Sequence, residues 1–319
     1  MRSTKLGTSG VEAGIVGLGC MGMSWGYDQL GRDDSASIEV IRRAIDLGCT
    51  LIDTADMYGP FTNEELVGRA LHGRRDEVVL ATKGGLVVDD PRTYAMHRDG
   101  RPEHLRATFE ASLKRLGTDH VDLYQLHRVD PAVPVEESWG TLAEFVREGK
   151  ARAIGLSEAS VEDIRRAQAV HPVASVQSEL SLWSRDALDN GVLEYCREQS
   201  IAFISFSPLG RGFLSARIAS AEDLPKVDGR RRLPRFQPEA LEANRVIADH
   251  IREVAGQLGT TPAQVSLAWV LAQGDNVVVI PGTKTARYLE ENSGAAGIRL
   301  PGQALERLRD LPAPVGSRY

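Results

Sequence analysis

Apolar runs alternate with segments of helical periodicity along the whole chain. Short continuous runs such as 78–82, 121–126 and 201–206 are too brief for amphipathic helices and predict buried parallel strands. Between the runs, segments such as 35–47 and 102–116 repeat their apolar positions every three or four residues, which indicates helices packed on a sheet. The pattern therefore predicts an α/β protein in which strands and helices alternate.

The pattern contains eight candidate strands, the number that a (β/α)₈ barrel requires. We predict these strands at 14–20, 50–53, 78–82, 121–126, 152–156, 174–177, 201–206 and 277–280. The predicted helices cover 35–47, 62–72, 102–116, 136–148, 160–170, 186–198, 239–258, 262–272, 285–293 and 302–310. The polar start of the chain, with Gly7 and Gly10, is expected to form a small hairpin that closes the barrel bottom. We therefore predict a TIM barrel with a single domain over 1–319.

A long segment containing glycine, arginine and proline, at about 208–238, interrupts this rhythm. Long insertions on a barrel are usually functional. A doubly wound open sheet would show the same alternation of strands and helices, with a glycine-rich fingerprint after its first strand. The segment 17–22 resembles that fingerprint, but no helix begins there and no acidic ribose anchor is evident. The barrel is therefore preferred to the open dinucleotide-binding sheet.

Composition and charge narrow the functional classes. The 319 residues carry a formal net charge of -6, and this acidic balance is not typical of nucleic-acid-binding proteins. The three cysteines, Cys20, Cys49 and Cys196, show no CxxC spacing and predict neither a disulfide framework nor a zinc site. The sequence shows no signal-peptide core and no stretch of the roughly 20 apolar residues that span a bilayer. We therefore expect a cytoplasmic protein that binds neither nucleic acid nor a membrane.

Four polar residues lie at or just beyond the ends of predicted strands. Asp53, Lys83 and His127 end or follow three of these strands, and Tyr58 lies in the turn-like segment after Asp53. Because the strands of a barrel end on the same rim, we expect these side chains to meet. A tyrosine pKa is ordinarily about 10, and a nearby cation such as Lys83, held by Asp53, lowers it. With His127 bonding the substrate oxygen, the group can protonate a carbonyl oxygen while hydride reaches its carbon.

The segments around these residues resemble motifs of the aldo-keto reductases. The matching segments are 53–59, 81–84 and 123–127, and the resemblance extends from 5–7 to 290–292. It implies a (β/α)₈ barrel that binds NADPH in an extended form and reduces aldehydes or ketones to alcohols. The catalytic residues implied are Asp53, Tyr58 as the proton donor, Lys83 and His127. Further motifs are similar to the branch that contains perakine reductase and pyridoxal-reductase-like enzymes.

The same resemblance implies a cofactor site along the rim. Ser157, Glu158 and Gln177 would face the nicotinamide carboxamide, and Phe206 would stack on the ring. The glycine-containing segment after Phe206 would line the pyrophosphate, and the helix N-terminus after the last strand would hold the adenosine 2′-phosphate. The implied cofactor residues are Cys20, Met21, Asp53, Ser157, Glu158, Gln177, Phe206, Ser207, Leu209, Gly210, Gly212, Gly282, Thr283, Lys284, Arg287, Tyr288, Glu291 and Asn292.

Two positions depart from the family pattern. Glu158 stands where Asn is usual, and an anion beside the nicotinamide favours the oxidised, cationic ring. Tyr288 stands where better-known members have an Arg, which weakens the preference for NADPH over NADH.

The substrate is expected to be a small carbonyl compound in an apolar pocket. The candidate pocket residues are Met23, Trp25, Tyr58, His127 and Trp183. The methionine and the tryptophans can equally be core or lid packing. Substrate choice is expected to depend on the loops 21–32, 86–100 and 208–238.

Two other functions fit parts of the pattern. One is an NADP(H)-binding regulatory or redox-sensing subunit with little turnover, like the barrel subunits attached to potassium channels. The other is a metal-dependent barrel hydrolase, which needs clustered His and carboxylate ligands at strand ends. Only His127 among the seven histidines lies convincingly at such an end. The sequence therefore predicts no metal site and favours the reductase.

Overall fold

The computed structural model describes residues 1–28 and 30–318. Its strands there are β1 Ser3–Lys5, β2 Glu12–Gly14, β3 Leu18–Gly19, β4 Leu51–Asp53, β5 Val79–Gly84, β6 Leu86–Asp90, β7 Ala95–Arg98, β8 Val121–Leu126, β9 Ala151–Ser157, β10 Ser175–Glu179, β11 Ala202–Phe206 and β12 Val277–Val279. Its α-helices there are α1 Asp34–Asp46, α2 Thr62–Leu71, α3 Pro102–Leu116, α4 Val135–Arg147, α5 Val161–Val170, α6 Asp186–Asp189, α7 Val192–Glu198, α8 Pro238–Leu258, α9 Pro262–Leu271, α10 Ala286–Ser293 and α11 Gly302–Arg309.

Eight of these strands form one parallel sheet that curls into a barrel. The strands neighbour one another in the order β3, β4, β5, β8, β9, β10, β11 and β12. Parallel bridges from Val16 to Val279 and from Gly19 to Gly282 join the two ends of the sheet. Backbone bonds from Gly17 N to Val279 O (2.8 Å) and from Val279 N to Ile15 O (2.9 Å) support this closure. The prediction of a (β/α)₈ barrel is confirmed.

The β1–β2 hairpin covers one end of the barrel, as predicted. Leu6, Val11 and Ala13 of the hairpin region pack in one buried cluster with apolar residues that point into the barrel from its strands. Gly7 has a φ of +58°, and a Cβ at this position would lie 2.9 Å from Ala174 Cα. The chain can therefore approach the barrel bottom closely only with glycine here. Polar residues occupy the opposite, carboxyl end of the strands.

Three rim segments lie over that carboxyl end. They are the β3–α1 loop, a β6–β7 hairpin that the sequence pattern did not predict, and the segment 207–237 between β11 and α8. Trp25 of the first segment contacts Tyr94 of the second edge-to-face, with ring centroids 5.0 Å apart. The guanidinium of Arg230, in the segment 207–237, lies 4.7 Å from the ring centroid of Tyr27 in the β3–α1 loop. The long segment forms short 3₁₀ turns rather than an α-helix or strand.

One predicted helix is broken in the structure. The segment 186–198 was expected to be a single helix, but it forms α6 and α7 with a break at Gly191. Gly191 has a φ of +78°, a left-handed conformation that ends a right-handed helix. The prediction of one continuous helix here was wrong.

Candidate active site

The predicted catalytic residues converge because neighbouring strands end together. Asp53 is the last residue of β4, Lys83 the fifth residue of β5, and His127 the first residue after β8. Strands β4, β5 and β8 are consecutive neighbours in the sheet. Tyr58 lies in the loop that follows β4, and Asp56 N in that loop bonds Lys83 O at 3.1 Å. The parallel topology thus brings all four side chains to one point on the rim.

Lys83 is the centre of this group. Its Nζ donates to Asp53 Oδ1 at 2.5 Å and to Thr54 O at 2.9 Å, and lies 3.5 Å from the Tyr58 hydroxyl oxygen. The side chain is fully buried. Burial alone would lower the pKa of Lys83, but Asp53 and Tyr58 outweigh it, so the pKa is raised. The ammonium group therefore remains charged beside the tyrosine.

Asp53 is held from its other side by two amides. Its Oδ2 accepts a hydrogen bond from Gln177 Nε2 at 2.8 Å and a longer one from Gln125 Nε2 at 3.4 Å. Only 4% of the Asp53 side chain is exposed. A buried ion pair needs such additional bonds to satisfy its remaining lone pairs. Gln125 was not among the predicted site residues, although it lies two positions before His127 on the same strand.

Tyr58 is buried, and its pKa is raised. Burial raises the pKa of the phenol above its ordinary 10.0, and Lys83 lowers it only in part. The predicted lowering by Lys83 is therefore present but does not prevail over burial. The Tyr58 and His127 rings meet edge-to-face, with centroids 5.9 Å apart and an interplanar angle of 84°. Tyr58 is thus a protonated hydroxyl facing an imidazole.

His127 is a neutral imidazole beside Tyr58. Burial, together with the charges of Lys83 and Arg128, holds the pKa of His127 well below its ordinary 6.5. Its Nδ1 is buried with no hydrogen-bond partner. A neutral imidazole can both donate and accept a hydrogen bond, so it can orient a substrate oxygen.

Arg128 is a site residue that the sequence reasoning missed. Its Nη1 donates to His127 O at 2.6 Å and to Ser157 Oγ at 3.2 Å, which links His127 to the end of β9. Its charge acts on both Tyr58 and His127. The signal available in the sequence was its position directly after a strand end that already carried a candidate catalytic residue.

A cavity of about 580 Å³ opens above this group. Among the predicted residues, those lining it are Met21, Trp25, Asp53, Tyr58, His127, Ser157, Gln177, Phe206, Ser207, Leu209, Gly212 and Gly282. Aromatic and thioether side chains of the rim, including Tyr27, Tyr94 and Met96, complete its walls. Four guanidinium groups, Arg128, Arg211, Arg230 and Arg232, also line it. The cavity is therefore lined by both apolar and cationic side chains.

Several predicted residues do not line this cavity, among them Met23, Trp183 and Cys20. Met23 is 1% exposed and packs in the main hydrophobic core. Trp183 is 2% exposed, and its ring stacks on Phe213 with centroids 4.2 Å apart. Cys20 is fully buried. The expectation that Met23 and Trp183 form pocket walls is therefore corrected, because both side chains turn inward to pack against apolar neighbours.

The residues predicted to face a nicotinamide lie on adjacent strand ends. Ser157, Gln177 and Phe206 belong to β9, β10 and β11, which are consecutive in the sheet. The Gln177 amide nitrogen is committed to Asp53. Glu158 has a left-handed backbone, with φ of +51°, and its Oε1 accepts a hydrogen bond from Glu179 N at 2.9 Å. Glu158 therefore points toward β10 rather than lining the cavity.

The predicted pyrophosphate segment has a tightly folded backbone. Ser207 and Arg211 have φ of +48° and +56°, and Gly212 has φ of +100°. A Cβ on Gly212 would lie 3.2 Å from Arg230 Nη1. Gly210 is buried under Trp183, whereas Leu209 and Gly212 face the cavity. The turn thus presents its backbone and the Arg211 guanidinium to the cavity, and Arg230 of the 3₁₀ turn Gly229–Arg232 adds a second guanidinium.

The predicted adenosine end lies around the start of α10. Lys284 Nζ donates to Asp28 O at 3.2 Å and to Gly31 O at 3.3 Å, across the groove between α10 and the β3–α1 loop. Thr283 and Arg287 flank it, and Arg287 is exposed. Asn292 is buried in α10.

Arg217 lies beside Tyr288, the position at which the family pattern has an arginine. The Arg217 guanidinium lies 3.9 Å from the Tyr288 ring centroid and pairs with Glu291. Arg217 comes from the long rim segment, and nothing in the local sequence marks it. Arg217 thus places a cation beside Tyr288 from a different element.

Residues 1–28 and 30–318 contain neither a helix that could cross a membrane nor a side-chain cluster that could hold a metal ion. No helix in this part of the chain is both long and apolar enough to cross a membrane. Within the same described residues, no group of three or more His, Cys, Asp or Glu side chains could hold a metal ion.

The chain is similar to several solved structures over almost its whole length. It is 31% identical to the thermostable aldo-keto reductase Tm1743, solved with the inhibitor epalrestat, with a TM-score of 0.76 over 97% of this chain and 98% of that one. It is 30% identical to the glycerol dehydrogenase AKR11B4 from Gluconobacter oxydans, with a TM-score of 0.85 over 97% and 94%. It is 27% identical to an aldo/keto reductase from Klebsiella pneumoniae, solved with NADP and acetate, with a TM-score of 0.75 over 100% and 99%.

A family model agrees with this likeness. The model of the aldo/keto reductase family matches residues 16–312, which include every strand of the barrel sheet. The match covers the ends of β4, β5 and β8 and the loop that carries Tyr58. The chain therefore belongs to the aldo/keto reductase family, a family of oxidoreductases that use NADP(H).

Proposed function

We propose that this protein reduces aldehydes or ketones to alcohols with NADPH, and that Tyr58 donates the proton. The observation that carries the proposal is the position of Lys83 Nζ, which lies 2.5 Å from Asp53 Oδ1 and 3.5 Å from the Tyr58 hydroxyl. This fully buried arrangement lies under a cavity large enough for a cofactor ring and a small substrate.

The residues around the cavity fit NADPH. Ser157 and Phe206 lie at the ends of β9 and β11, on either side of β10, where they can contact a carboxamide and a flat ring. Arg211 and Arg230 line the cavity beside Gly212, whose φ of +100° is a backbone conformation that favours glycine. This cationic turn with close backbone approach suits a pyrophosphate. The Klebsiella pneumoniae relative, solved with NADP, supports the same cofactor for this chain.

The protein's own groups handle the oxygen of the substrate. When bound, NADPH supplies the hydride that adds to the carbonyl carbon. The Tyr58 hydroxyl hydrogen-bonds the carbonyl oxygen and gives it a proton as negative charge develops. Lys83 stabilises the tyrosinate that remains, and Asp53 fixes Lys83. His127, being neutral, donates a hydrogen bond that orients the same oxygen.

The pocket walls favour a small carbonyl compound with an apolar body. Trp25 and Tyr94 pack edge-to-face at its entrance, and Met57, Leu86 and Met96 extend the apolar surface. Such a surface contributes binding free energy through burial without demanding a particular pattern of hydrogen bonds. The proposal therefore names the reaction and leaves a broad set of aldehydes and ketones as candidates.

The proposal is tested by following NADPH and NADH consumption with a panel of aldehydes, ketones, quinones and pyridoxal. We expect turnover with at least one class of carbonyl and a lower KM for NADPH than for NADH. Tyr58→Phe is the matched loss-of-function variant, because it removes only the hydroxyl that we propose as the proton donor. Tight NADPH binding with no turnover on the whole panel would contradict the reductase and favour a cofactor-sensing subunit.

A further inference from the structure

The segment that follows α11 returns to the barrel rim and is fixed there by specific bonds. Asn244 of α8 donates from Nδ2 to Val315 O at 2.9 Å and accepts from Val315 N at 2.8 Å. Gly316 has a φ of +92°, and a Cβ at this position would lie 3.1 Å from Arg235 N. Arg235 Nε also donates to Gly316 O at 3.2 Å. These contacts define where the next side chains lie.

Arg318 of this segment sits over the predicted nicotinamide end of the site. One of its guanidinium nitrogens contacts Glu158 Oε2, and its Nε lies 3.0 Å from Glu179 Oε2. The guanidinium carbon lies 5.9 Å from the centroid of the Phe206 ring. The Arg318 side chain is 17% exposed, so the ion pairs are largely shielded from water. Arg318 therefore joins the ends of β9, β10 and β11.

Three guanidinium groups, those of Arg211, Arg235 and Arg318, lie near the Glu158 and Glu179 carboxylates. Arg318 contacts both carboxylates, and Glu179 N also donates a hydrogen bond to Glu158 Oε1. Arg211 Nη2 lies 3.3 Å from Glu179 Oε2, and Arg235 lines the same small pocket as Glu179 and Arg318. Asp186 lies 3.5 Å from Arg318, but its side chain is 66% exposed and its charge is well screened. Arg211 and Arg235 thus lie near Glu179, whereas Arg318 forms the ion pair with Glu158.

We infer that Arg318 is a positioning residue that cancels the charge of Glu158 beside the nicotinamide ring. The inference rests on the proposed function, which places that ring against Phe206. An oxidised nicotinamide carries a positive charge that the reduced ring lacks, so an uncompensated carboxylate here would favour NADP⁺ over NADPH. With Arg318 in place, Glu158 keeps its bond to β10 without imposing that bias. A reductase needs this, because its product cofactor must leave.

The inference is tested by the dissociation constants of NADP⁺ and NADPH, measured by isothermal titration calorimetry. We expect Arg318→Gln to lower the ratio of the NADP⁺ constant to the NADPH constant by about three- to tenfold. Arg318→Lys keeps the charge and should stay near the wild-type ratio. Glu158→Gln combined with Arg318→Gln removes both charges and should return the ratio toward wild type.

The matched control is Arg309→Gln, because Arg309 is 70% exposed and pairs only weakly with Asp310, at 3.4 Å. It should leave the ratio unchanged. If Arg318→Gln weakens both cofactors equally, or the double variant keeps the shifted ratio of the single one, Arg318 is merely structural and the inference is overturned. A wild-type protein that binds neither cofactor would instead overturn the proposed function itself.

Discussion

At the scale of single residues, the site consists of buried groups whose protonation is set by their neighbours. Lys83 stays charged because Asp53 and Tyr58 outweigh its burial, whereas His127 stays neutral because burial and two cations act together. Tyr58 keeps its proton because burial outweighs the nearby ammonium. A charged lysine, a protonated phenol and a neutral imidazole are the states that a proton-donating site requires.

These states predict the pH dependence of catalysis. The pKa of His127 lies well below 6.5 and that of Tyr58 above 10.0, so neither group titrates between about pH 6.5 and 9.5. We expect kcat for carbonyl reduction to be nearly flat across this range. The measurement is a pH profile of wild type and His127→Gln, which should differ in height but not in shape. An acid limb near pH 6.5 that disappears in the variant would contradict the neutral imidazole.

Because Asp53 and Lys83 form a buried ion pair, we expect the effects of substitutions at the two positions on the free energy of unfolding to be strongly coupled. Lys83→Met leaves the Asp53 carboxylate buried without its cation and should lower the free energy of unfolding by about 3–5 kcal/mol. Lys83→Met combined with Asp53→Asn removes both charges and should recover much of that loss. Urea denaturation of wild type, both single variants and the double variant measures the coupling. A double variant whose loss equals the sum of the two single losses would show that the pair is not coupled.

At the scale of elements, strand ends were easier to predict than the segments that cover them. The runs before Asp53, Lys83 and His127 are short and continuous, so their ends are visible in the sequence and the barrel topology brings them together. The β6–β7 hairpin has weak alternation and mostly exposed residues, so the pattern gave no clear strand there. The break at Gly191 also escaped prediction, because one glycine is compatible with a helix until its φ is known.

Long-range contacts of arginines were not predictable from local pattern. Arg217 and Arg318 reach the site from the long rim segment and from the segment after α11. Their positions depend on how those segments cross the rim, which no periodicity encodes. Arg217 nevertheless lies beside Tyr288, and Arg318 beside Glu158, which are the two positions that depart from the family pattern. Sequence reasoning identified the departures, and the three-dimensional contacts identified the arginines that lie beside them.

We expect the start of helix α10 and the turn before it to determine the preference for NADPH over NADH. Lys284 stands at the start of α10, where its ammonium and the helix N-terminus both attract an anion. Lys284→Ala should weaken NADPH binding about tenfold or more and NADH binding far less, because only NADPH has the 2′-phosphate. Arg217→Ala should shift the preference in the same direction. Equal losses for both cofactors in Lys284→Ala would contradict this assignment.

At the scale of the whole molecule, a buried carboxyl beside the site affects stability. Asp56 is 3% exposed, and burial together with the nearby Glu64 raises its pKa from 3.8 to about 8. Between pH 3.8 and about pH 8, the Asp56 carboxyl keeps its proton in the native state but has released it in the unfolded chain. Stability therefore falls as pH rises through this window, by at most about 1.4 kcal/mol per pH unit. This contribution is fully present below about pH 4 and lost above about pH 8.

Asp56→Asn should remove this dependence. The amide keeps an oxygen for the bond that Met57 N donates to Oδ1 at 2.6 Å, and it does not titrate. We expect the variant to gain stability relative to wild type as pH rises from 5 to 8, measured by urea denaturation at each pH. Asp310→Asn, at an exposed site, is the control and should follow the wild-type curve. Parallel curves for Asp56→Asn and wild type would show that Asp56 is not protonated in the native state.

The central claim is that Tyr58 gives a proton to the substrate oxygen while NADPH gives the hydride. The most direct measurement is the single-turnover rate of NADPH oxidation by stopped-flow absorbance, for wild type and Tyr58→Phe, with a carbonyl substrate of the wild-type enzyme. We expect the single-turnover rate of NADPH oxidation to be about 10²- to 10⁴-fold lower in Tyr58→Phe, with NADPH binding close to that of wild type. A variant that oxidises NADPH at nearly the wild-type rate would contradict the account.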